Sequence, residues 1–295
     1  MTTTTTPASR GISLAVCALA YLGAFFAGAY VVQTLFGIEP LVALGSANLA
    51  AVIVIFTFSV AYDNSSLFDP YWSVAPPLAA LFCVTQADPQ VPGTRQALVV
   101  TLLLVWSVRL TADWARSWEG LRHEDWRYVD LRARTGRAYW LVSFLGIHLA
   151  PAAVLLLATA PVAVALATGT HPLGPLDAVA TLVTGGAIAI EATANAQLRR
   201  HRREAPAGAT CARGLWAYSR HPNYFGEMSF WWGLYLFAVA ARPEVGWLVV
   251  GPLAITLMIV FVSIPLLDRC SLERRPDYAR HMQRVSAVVP WIRGD

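Results

Sequence analysis

Long apolar runs alternate with short polar ones along nearly the whole chain. The runs cover 12–36, 41–62, 72–87, 96–113, 138–168, 175–197, 223–241 and 244–267. A helix needs about 20 apolar residues to cross a bilayer, so each run is a candidate span. The third is short and opens with Pro76-Pro77, where a helix can break. The fifth is long and holds Pro151 and Pro161, which predict a kink. The pattern therefore predicts an all-α fold, a polytopic integral membrane helical bundle of about seven or eight transmembrane helices. Met1 to Arg10 reads as a polar, flexible start. The run after it is too long for a signal peptide's apolar core and has no obvious cleavage site, so it reads as the first transmembrane helix. The division expected is an N-terminal tail with its first helix at 1–40 and one membrane domain at 41–295. The loops are too short for a separate soluble domain. Any chemistry must come from helix ends, inner helix faces and the basic loops.

Composition supports this and charge orients it. Of 295 residues, 56% are hydrophobic and only 14% charged, against about 25% charged in a soluble domain. All 22 basic residues are arginines. The segments 114–137, 198–222 and 268–295 carry six each. With eight spans these segments share one side with Arg10, and the positive-inside rule makes that side, with both termini, cytoplasmic. The opposite loops hold only Arg95 and Arg242. Because the arginine clusters follow topology, nothing points to nucleic acid. Cys17, Cys83, Cys211 and Cys270 have neither metal-ligand nor C-x-x-C spacing and read as free thiols. The six histidines show no ligand spacing, so no metal is expected. His148, alone in the fifth span, reads as a core histidine. No glycine-rich phosphate loop follows a strand, which excludes a soluble dinucleotide fold.

Four constellations stand out against the apolar background. The densest is Tyr218-Ser-Arg-His-Pro-Asn-Tyr-Phe-Gly-Glu227, between a basic loop and an apolar run. Pro222 suits the first turn of a helix, whose N-terminus offers free N–H groups and positive potential. Asn223 can donate and accept, which suits a carboxamide. Glu227 lies one turn on, on the same face. A helix cap with an interfacial aromatic belt would explain Tyr224 and its aromatic neighbours, but not Asn223 and Glu227 within a span. The second is Glu191, Asn195 and Arg199, which share a helix face at i, i+4 and i+8, with Arg202 nearby. Snorkelling arginines would explain the basic end but not the Glu and Asn. Together these two suggest a polar, arginine-lined pocket for an anionic cofactor, with Tyr218, Arg220 and His221 at its rim.

The third is Arg109 inside the fourth span, with Asp113 one turn on. An intramembrane arginine is a functional-site hypothesis; a simple ion pair with Asp113 is the alternative. The loop beyond, 118–128, mixes arginines, acids and aromatics. It would suit either phosphates and a purine ring or lipid headgroups. The fourth is Ser66-Leu-Phe-Asp-Pro-Tyr-Trp-Ser73. Asp69 could act as a proton donor and Tyr71 could donate to a carbonyl oxygen. An ordinary Asp-Pro turn is the alternative.

The segment Leu-Trp-Ala-Tyr-Ser-Arg-His-Pro-Asn-Tyr-Phe-Gly-Glu at 215–227 resembles the signature of the steroid 5-alpha-reductase superfamily. From about residue 45 to 291 the chain resembles that superfamily's uncharacterised bacterial branch. Ser66–Ser73, Trp-Ser-Val-Arg-Leu-Thr at 106–111, Glu-Asp-Trp-Arg-Tyr at 124–128, Ser-Phe-Leu-Gly-Ile-His at 143–148 and the tail Arg-Arg-Pro-Asp-Tyr to Val-Pro-Trp carry the likeness. The resemblance implies a helical membrane reductase using NADPH, in a bacterial inner membrane, with its cofactor site facing the cytoplasm. Hydride would pass to a carbon–carbon double bond conjugated to a carbonyl. By the same resemblance, Asn223 and Glu227 match positions near the nicotinamide. Glu191 and Asn195 match a polar pair on the preceding helix, and Arg202 matches a phosphate contact. Arg109 matches an arginine one turn below a catalytic tyrosine, and with Arg199 and Arg202 it would be among the phosphate contacts of NADPH. That tyrosine is Trp106 here, and a Gln-Glu pair of the eukaryotic members is replaced by Asp69-Pro70. Asp69 and Tyr71 would stand in for the missing acids, and the substrate would be a lipid enone, steroid-like or otherwise.

Two other readings use the same residues. The isoprenylcysteine methyltransferases share an Arg-His-Pro-x-Tyr-x-Gly pattern and a basic tail, which would make the cofactor S-adenosylmethionine. Asn223, Glu227 and the Glu191/Asn195 stripe favour the reductase. A lipid-binding or assembly membrane protein would use no cofactor and would tolerate Asn223→Ala.

Overall fold

The computed structural model describes residues 10–35, 37, 40–206 and 208–291. The polar start at 1–9 and Arg293 of the basic tail lie outside the described residues. Among the described residues there are twelve α-helices and no strand: α1 Arg10–Thr34, α2 Pro40–Ala61, α3 Tyr71–Thr85, α4 Gly93–Ser117, α5 Trp126–Thr135, α6 Tyr139–Ser143, α7 Ala150–Ala163, α8 Pro175–Glu204, α9 Pro222–Ala241, α10 Val250–Met258, α11 Ile264–Arg274 and α12 Tyr278–Arg284. Seven helical stretches among the described residues are long and apolar enough to cross a membrane: Arg10–Thr34, Leu41–Ala61, Ser65–Thr85, Gly93–Ser117, Trp126–Thr168, Pro175–Glu204 and Pro243–Arg274. These match seven of the eight expected runs. The eighth, α9, is a helix of 20 residues, but its Tyr, Trp, Asn and Glu side chains leave it less apolar than the others.

Two expectations about proline resolve differently. The third span does not break: α3 runs through both Pro76 and Pro77. Proline has no N–H for the carbonyl four residues back, so Pro77 leaves the Ser73 carbonyl without its helical donor. Ser107 Oγ supplies one at 2.7 Å. In the fifth span the irregularity takes the form of two π turns, Phe144–Leu149 before Pro151 and Val164–Thr168 beyond Pro161. Extra-wide turns of this kind absorb local strain within a helix.

The chain divides into two compact units, residues 1–79 with 107–156 and residues 80–106 with 157–295. Within the first unit α1 packs along α2. A Cβ on Gly23 would lie 3.4 Å from Val54, and one on Gly28 would lie 3.5 Å from the Ala47 carbonyl. Cys17, Leu67 and Trp118 form a buried cluster there. His148 is fully buried between Phe56 and Phe68, with ring separations of 5.1 and 4.7 Å. Its Nδ1 reaches the Ser143 carbonyl at 3.0 Å, so that nitrogen carries the proton, and Nε2 meets Ser59 Oγ at 3.1 Å. It is a satisfied core histidine.

In the second unit α8 and α9 pack very closely. A Cβ on Gly226 would lie 2.8 Å from Glu191 Cβ and 2.9 Å from the Ala187 carbonyl; one on Gly233 would lie 2.9 Å from Thr184 N. Small residues let helix backbones approach where no water drives association. The same unit buries Arg95 completely. Its guanidinium grips Asp177 at 2.7 and 3.0 Å and donates to the carbonyls of His171 and Pro172 at 2.8 and 3.2 Å. A buried ion pair is tolerable only when its remaining donors are also satisfied, and this one meets that condition. Arg95, read from the sequence as a loop charge, is a structural anchor.

Candidate functional site

The residues singled out in the sequence fall into two groups. Glu191, Asn195, Arg199, Arg202, Tyr218, Arg220, His221, Asn223, Tyr224 and Glu227 belong to the second unit; Asp69, Tyr71 and Arg109 belong to the first.

In the second unit the close α8–α9 contact brings the two polar stripes together, with Gly226 directly against Glu191. Glu191 is buried and Asn195 half-buried, while Arg199 and Arg202 are exposed at the basic end of α8. The loop after α8 folds back on that helix. Trp216 donates its indole N–H to the Ala194 carbonyl at 2.9 Å, and the Leu215 N–H donates to Gln197 Oε1 at 2.9 Å. Gly214, with a φ of +61°, sits so close to Gln197 that a side chain would collide. The loop is thereby aimed at the start of α9, where Pro222 occupies the first turn as expected. Asn223 follows, and its side-chain oxygen is buried without a hydrogen-bond partner among the described residues. A buried polar atom left in this state is unfavourable, and an N–H donor would relieve it.

Glu227 is used otherwise than expected. It is buried, and its two oxygens accept the indole N–H groups of Trp106 at 3.0 Å and Trp231 at 2.9 Å. Arg220 and His221, expected at the pocket rim, turn to the C-terminal segment. Both donate to Asp268 at 2.8 Å, and Tyr278 donates to the same carboxylate at 2.5 Å. Arg220 also reaches the Val285 carbonyl at 2.8 Å. Burial first, and then the hydrogen bond to Asp268 and its charge, push the Tyr278 phenol above its ordinary range, so it remains a donor. Tyr218 is half-exposed; its carbonyl receives the Trp291 N–H at 3.0 Å. Ser219 Oγ donates to the Val288 carbonyl at 2.6 Å. Tyr218 to His221 thus form a clamp that ties the tail to the N-terminus of α9. Tyr224 lies one turn in, its ring 5.9 Å from that of His221.

In the first unit, Arg109 Nη1 lies 3.7 Å from Asp113 Oδ2, and Arg116 lies 3.5 Å from the other oxygen. The i,i+4 pair weighed in the sequence is present. Tyr71 is buried and stacked on Phe68 at 4.8 Å, and its hydroxyl donates to Asn48 Oδ1 at 2.6 Å. Asp69 accepts the Tyr128 hydroxyl at 2.6 Å. Beside it Asp125 caps α5 and holds Arg127 through Nε and Nη2 at 2.8 and 3.1 Å. Burial alone would raise the Asp125 carboxyl; the hydrogen bonds and charge of Arg127 outweigh it and hold the group below its ordinary value.

Sequence reasoning missed three partners. Asn48 was visible as a polar residue in an apolar run, and Asp268 as an acid among arginines. Tyr128 was noticed only as part of an aromatic loop, because its pairing with Asp69 spans 59 positions. No group of three or more potential metal ligands occurs among the described residues.

Fold and composition define a polytopic helical integral membrane protein. Within that class the chain belongs to the family described as a protein of unknown function (DUF1295), whose sequence profile matches residues 55–285. It is also similar to an uncharacterized protein of Schizosaccharomyces pombe (strain 972), at 27% identity over 266 residues, covering 82% of this chain and 77% of that one. No solved structure matches.

Proposed function

We propose that the protein is a membrane-embedded, NADPH-dependent reductase of the steroid 5-alpha-reductase type, acting on a lipid whose carbon–carbon double bond is conjugated to a carbonyl. The observation that carries the reading is the buried side-chain oxygen of Asn223 at the N-terminus of α9, which has no hydrogen-bond partner among the described residues. A nicotinamide carboxamide has the N–H that this oxygen lacks, so the residue fits the group. Arg199 and Arg202, exposed at the adjoining end of α8, would meet its phosphates. When bound, the reduced nicotinamide supplies a hydride. The chain's own residues do the rest. Asn223 orients the carboxamide, and the clamp on Asp268 fixes the backbone from which Asn223 projects. Asp69 of the first unit is this reading's proton donor; Tyr71 would serve the substrate carbonyl only by giving up the hydrogen bond from its single O–H to Asn48. The positive-inside rule puts the arginine-rich end of α8 on the cytoplasmic side, where NADPH is found.

Thermal unfolding of the detergent-purified protein tests the reading. A ligand present at a hundred times its Kd stabilises by about 2.7 kcal/mol. NADPH is expected to raise the unfolding temperature and Asn223→Ala to abolish that rise. A rise with S-adenosylmethionine alone would identify a methyltransferase instead. No rise with either cofactor would favour a lipid-binding or assembly role.

A further inference from the structure

Asp69 closes the 3-10 turn Ser65–Phe68 and precedes Pro70 and α3. In ordinary Asp-Pro turn chemistry the carboxylate bonds a backbone N–H two residues on. That bond is not made here. Oδ1 takes the phenol of Tyr128 at 2.6 Å, and Oδ2 makes no hydrogen bond among the described residues. The phenol makes no other hydrogen bond among the described residues. The charged and titratable groups facing Asp69 are Arg127 and Tyr128 of α5, Glu124 and Asp125 before that helix, and Cys17 and Tyr21 of α1. Arg127 gives its paired donors to Asp125, and Glu124 accepts from Arg132, Tyr139 and the Ser65 N–H. Among the described residues the only hydrogen-bond partner of the Asp69 carboxyl is therefore a neutral hydroxyl from another helix.

We propose that Asp69 and Tyr128 form a proton-donating pair in which Tyr128 is the positioning residue, its O–H filling Oδ1 so that the acid proton of Asp69 resides on the unengaged Oδ2. A carboxylic acid has one carbonyl-type and one hydroxyl-type oxygen, and an oxygen that accepts a donor takes the carbonyl role. The phenol thus decides which oxygen is acidic. The proposal rests on the reductase reading for its substrate. In that reaction the Oδ2–H bond breaks and its electron pair stays on the carboxylate. The proton forms the new C–H bond at the carbon next to the carbonyl. The two electrons of the reduction arrive with the hydride of the reduced nicotinamide, and water returns a proton to Asp69. As the carboxylate forms, the Tyr128 bond changes from neutral to charge-assisted and strengthens. The interaction is then greater in the transition state than in the ground state, which is the condition for accelerating a step.

Infrared difference spectroscopy of the full-length protein in nanodiscs tests the pair without a substrate. A protonated carboxyl C=O band that Asp69→Asn removes is expected. In Tyr128→Phe this band should persist at higher wavenumber, because the carbonyl oxygen has lost its donor. A band that Tyr128→Phe leaves in place overturns the proposal. So does the absence, at every pH where the protein stays folded, of any band that Asp69→Asn removes. If Asp69→Asn does not fold, the band shift in Tyr128→Phe protein carrying isotope-labelled aspartate decides alone. The NADPH-induced thermal shift of the same samples reads the reductase proposal separately. A thermal shift with an unmoved band overturns the pair and leaves the reductase standing; the reverse result leaves the pair standing and removes its reaction. With NADPH and an enone lipid, Tyr128→Phe should lower kcat about tenfold or more while KM for NADPH stays unchanged. An unchanged kcat would overturn the positioning role.

Discussion

The indole N–H of Trp106 donates to Oε2 of Glu227 at 3.0 Å, within the interior of the second unit. Trp106 is wholly buried, stacks on Phe230 at 4.6 Å, and shares the carboxylate with Trp231. At the position where the resemblance leads one to expect a hydroxyl, the chain has a donor already committed to a neighbouring acid. Trp106→Phe should therefore cost about 1–3 kcal/mol, mostly from the oxygen left without its donor. Glu227→Gln should also destabilise, because an amide offers a single acceptor to two indoles. Unfolding in mixed micelles of both variants and their double mutant should give a coupling of about 0.5 kcal/mol or more. Additive losses would show that the pair does not act as a unit.

The α8–α9 contact makes a second, independent prediction. At Gly233 a methyl group would lie 2.9 Å from Thr184 N and 3.0 Å from Thr184 Cα, with backbone on both counts. Gly233→Ala should destabilise by about 1–3 kcal/mol through overpacking. Gly186, also helical, has nothing within 4 Å of the same methyl group. Gly186→Ala should be neutral or stabilising by up to about 1 kcal/mol, as alanine is the better helix former. Equal effects at the two sites would contradict the close packing.

The helices were legible because each needs only its own apolar run, and seven of the eight runs recur as spans of membrane-crossing length. What the runs could not convey is how polar groups within them are satisfied. Pro76 and Pro77 read locally as a break, and the freed carbonyl of Ser73 is served by Ser107, 34 positions beyond it. Arg95 read as a loop charge until Asp177, 82 positions away, enclosed it. The candidate site divides the same way. The i, i+4 stripe of Glu191 and Asn195 and the Pro222–Glu227 turn are local patterns, and the structure brings them together at Gly226. Arg220 and His221 looked available for a ligand because Asp268 lies 47 positions beyond His221, with no local pattern to announce it.

The Asp268 clamp is open to direct measurement. Three donors converge on a carboxylate only 7% exposed. Asp268→Ala would take the counter-ion from the part-buried Arg220 guanidinium, which keeps the Val285 carbonyl, at a cost of up to about 3 kcal/mol. Tyr278→Phe removes one neutral donor and should cost about 1 kcal/mol. Limited proteolysis should then cut the segment beyond Arg274 in Asp268→Ala well before it does so in Tyr278→Phe. Equal resistance in wild type and Asp268→Ala would show that the tail is held by other contacts.

Acid should weaken the start of α5. Asp125 caps that helix through the Arg127 N–H at 2.9 Å and pairs with the same residue's guanidinium. Arg127 holds its carboxyl below the ordinary value despite burial. The folded value therefore lies under the unfolded one of about 3.9. A group shifted in this direction contributes stability above its unfolded value and loses it as pH falls through the folded one. Asparagine caps a helix as well as aspartate does but carries no charge, so Asp125→Asn isolates the electrostatic part. At neutral pH the variant should be less stable by up to about 1 kcal/mol, the range for a partly exposed pair. As pH drops below about 4 the wild-type protein should lose this advantage, and the two unfolding temperatures should converge. Curves that stay parallel through the acid range would show that the Asp125–Arg127 charge pair contributes nothing to stability.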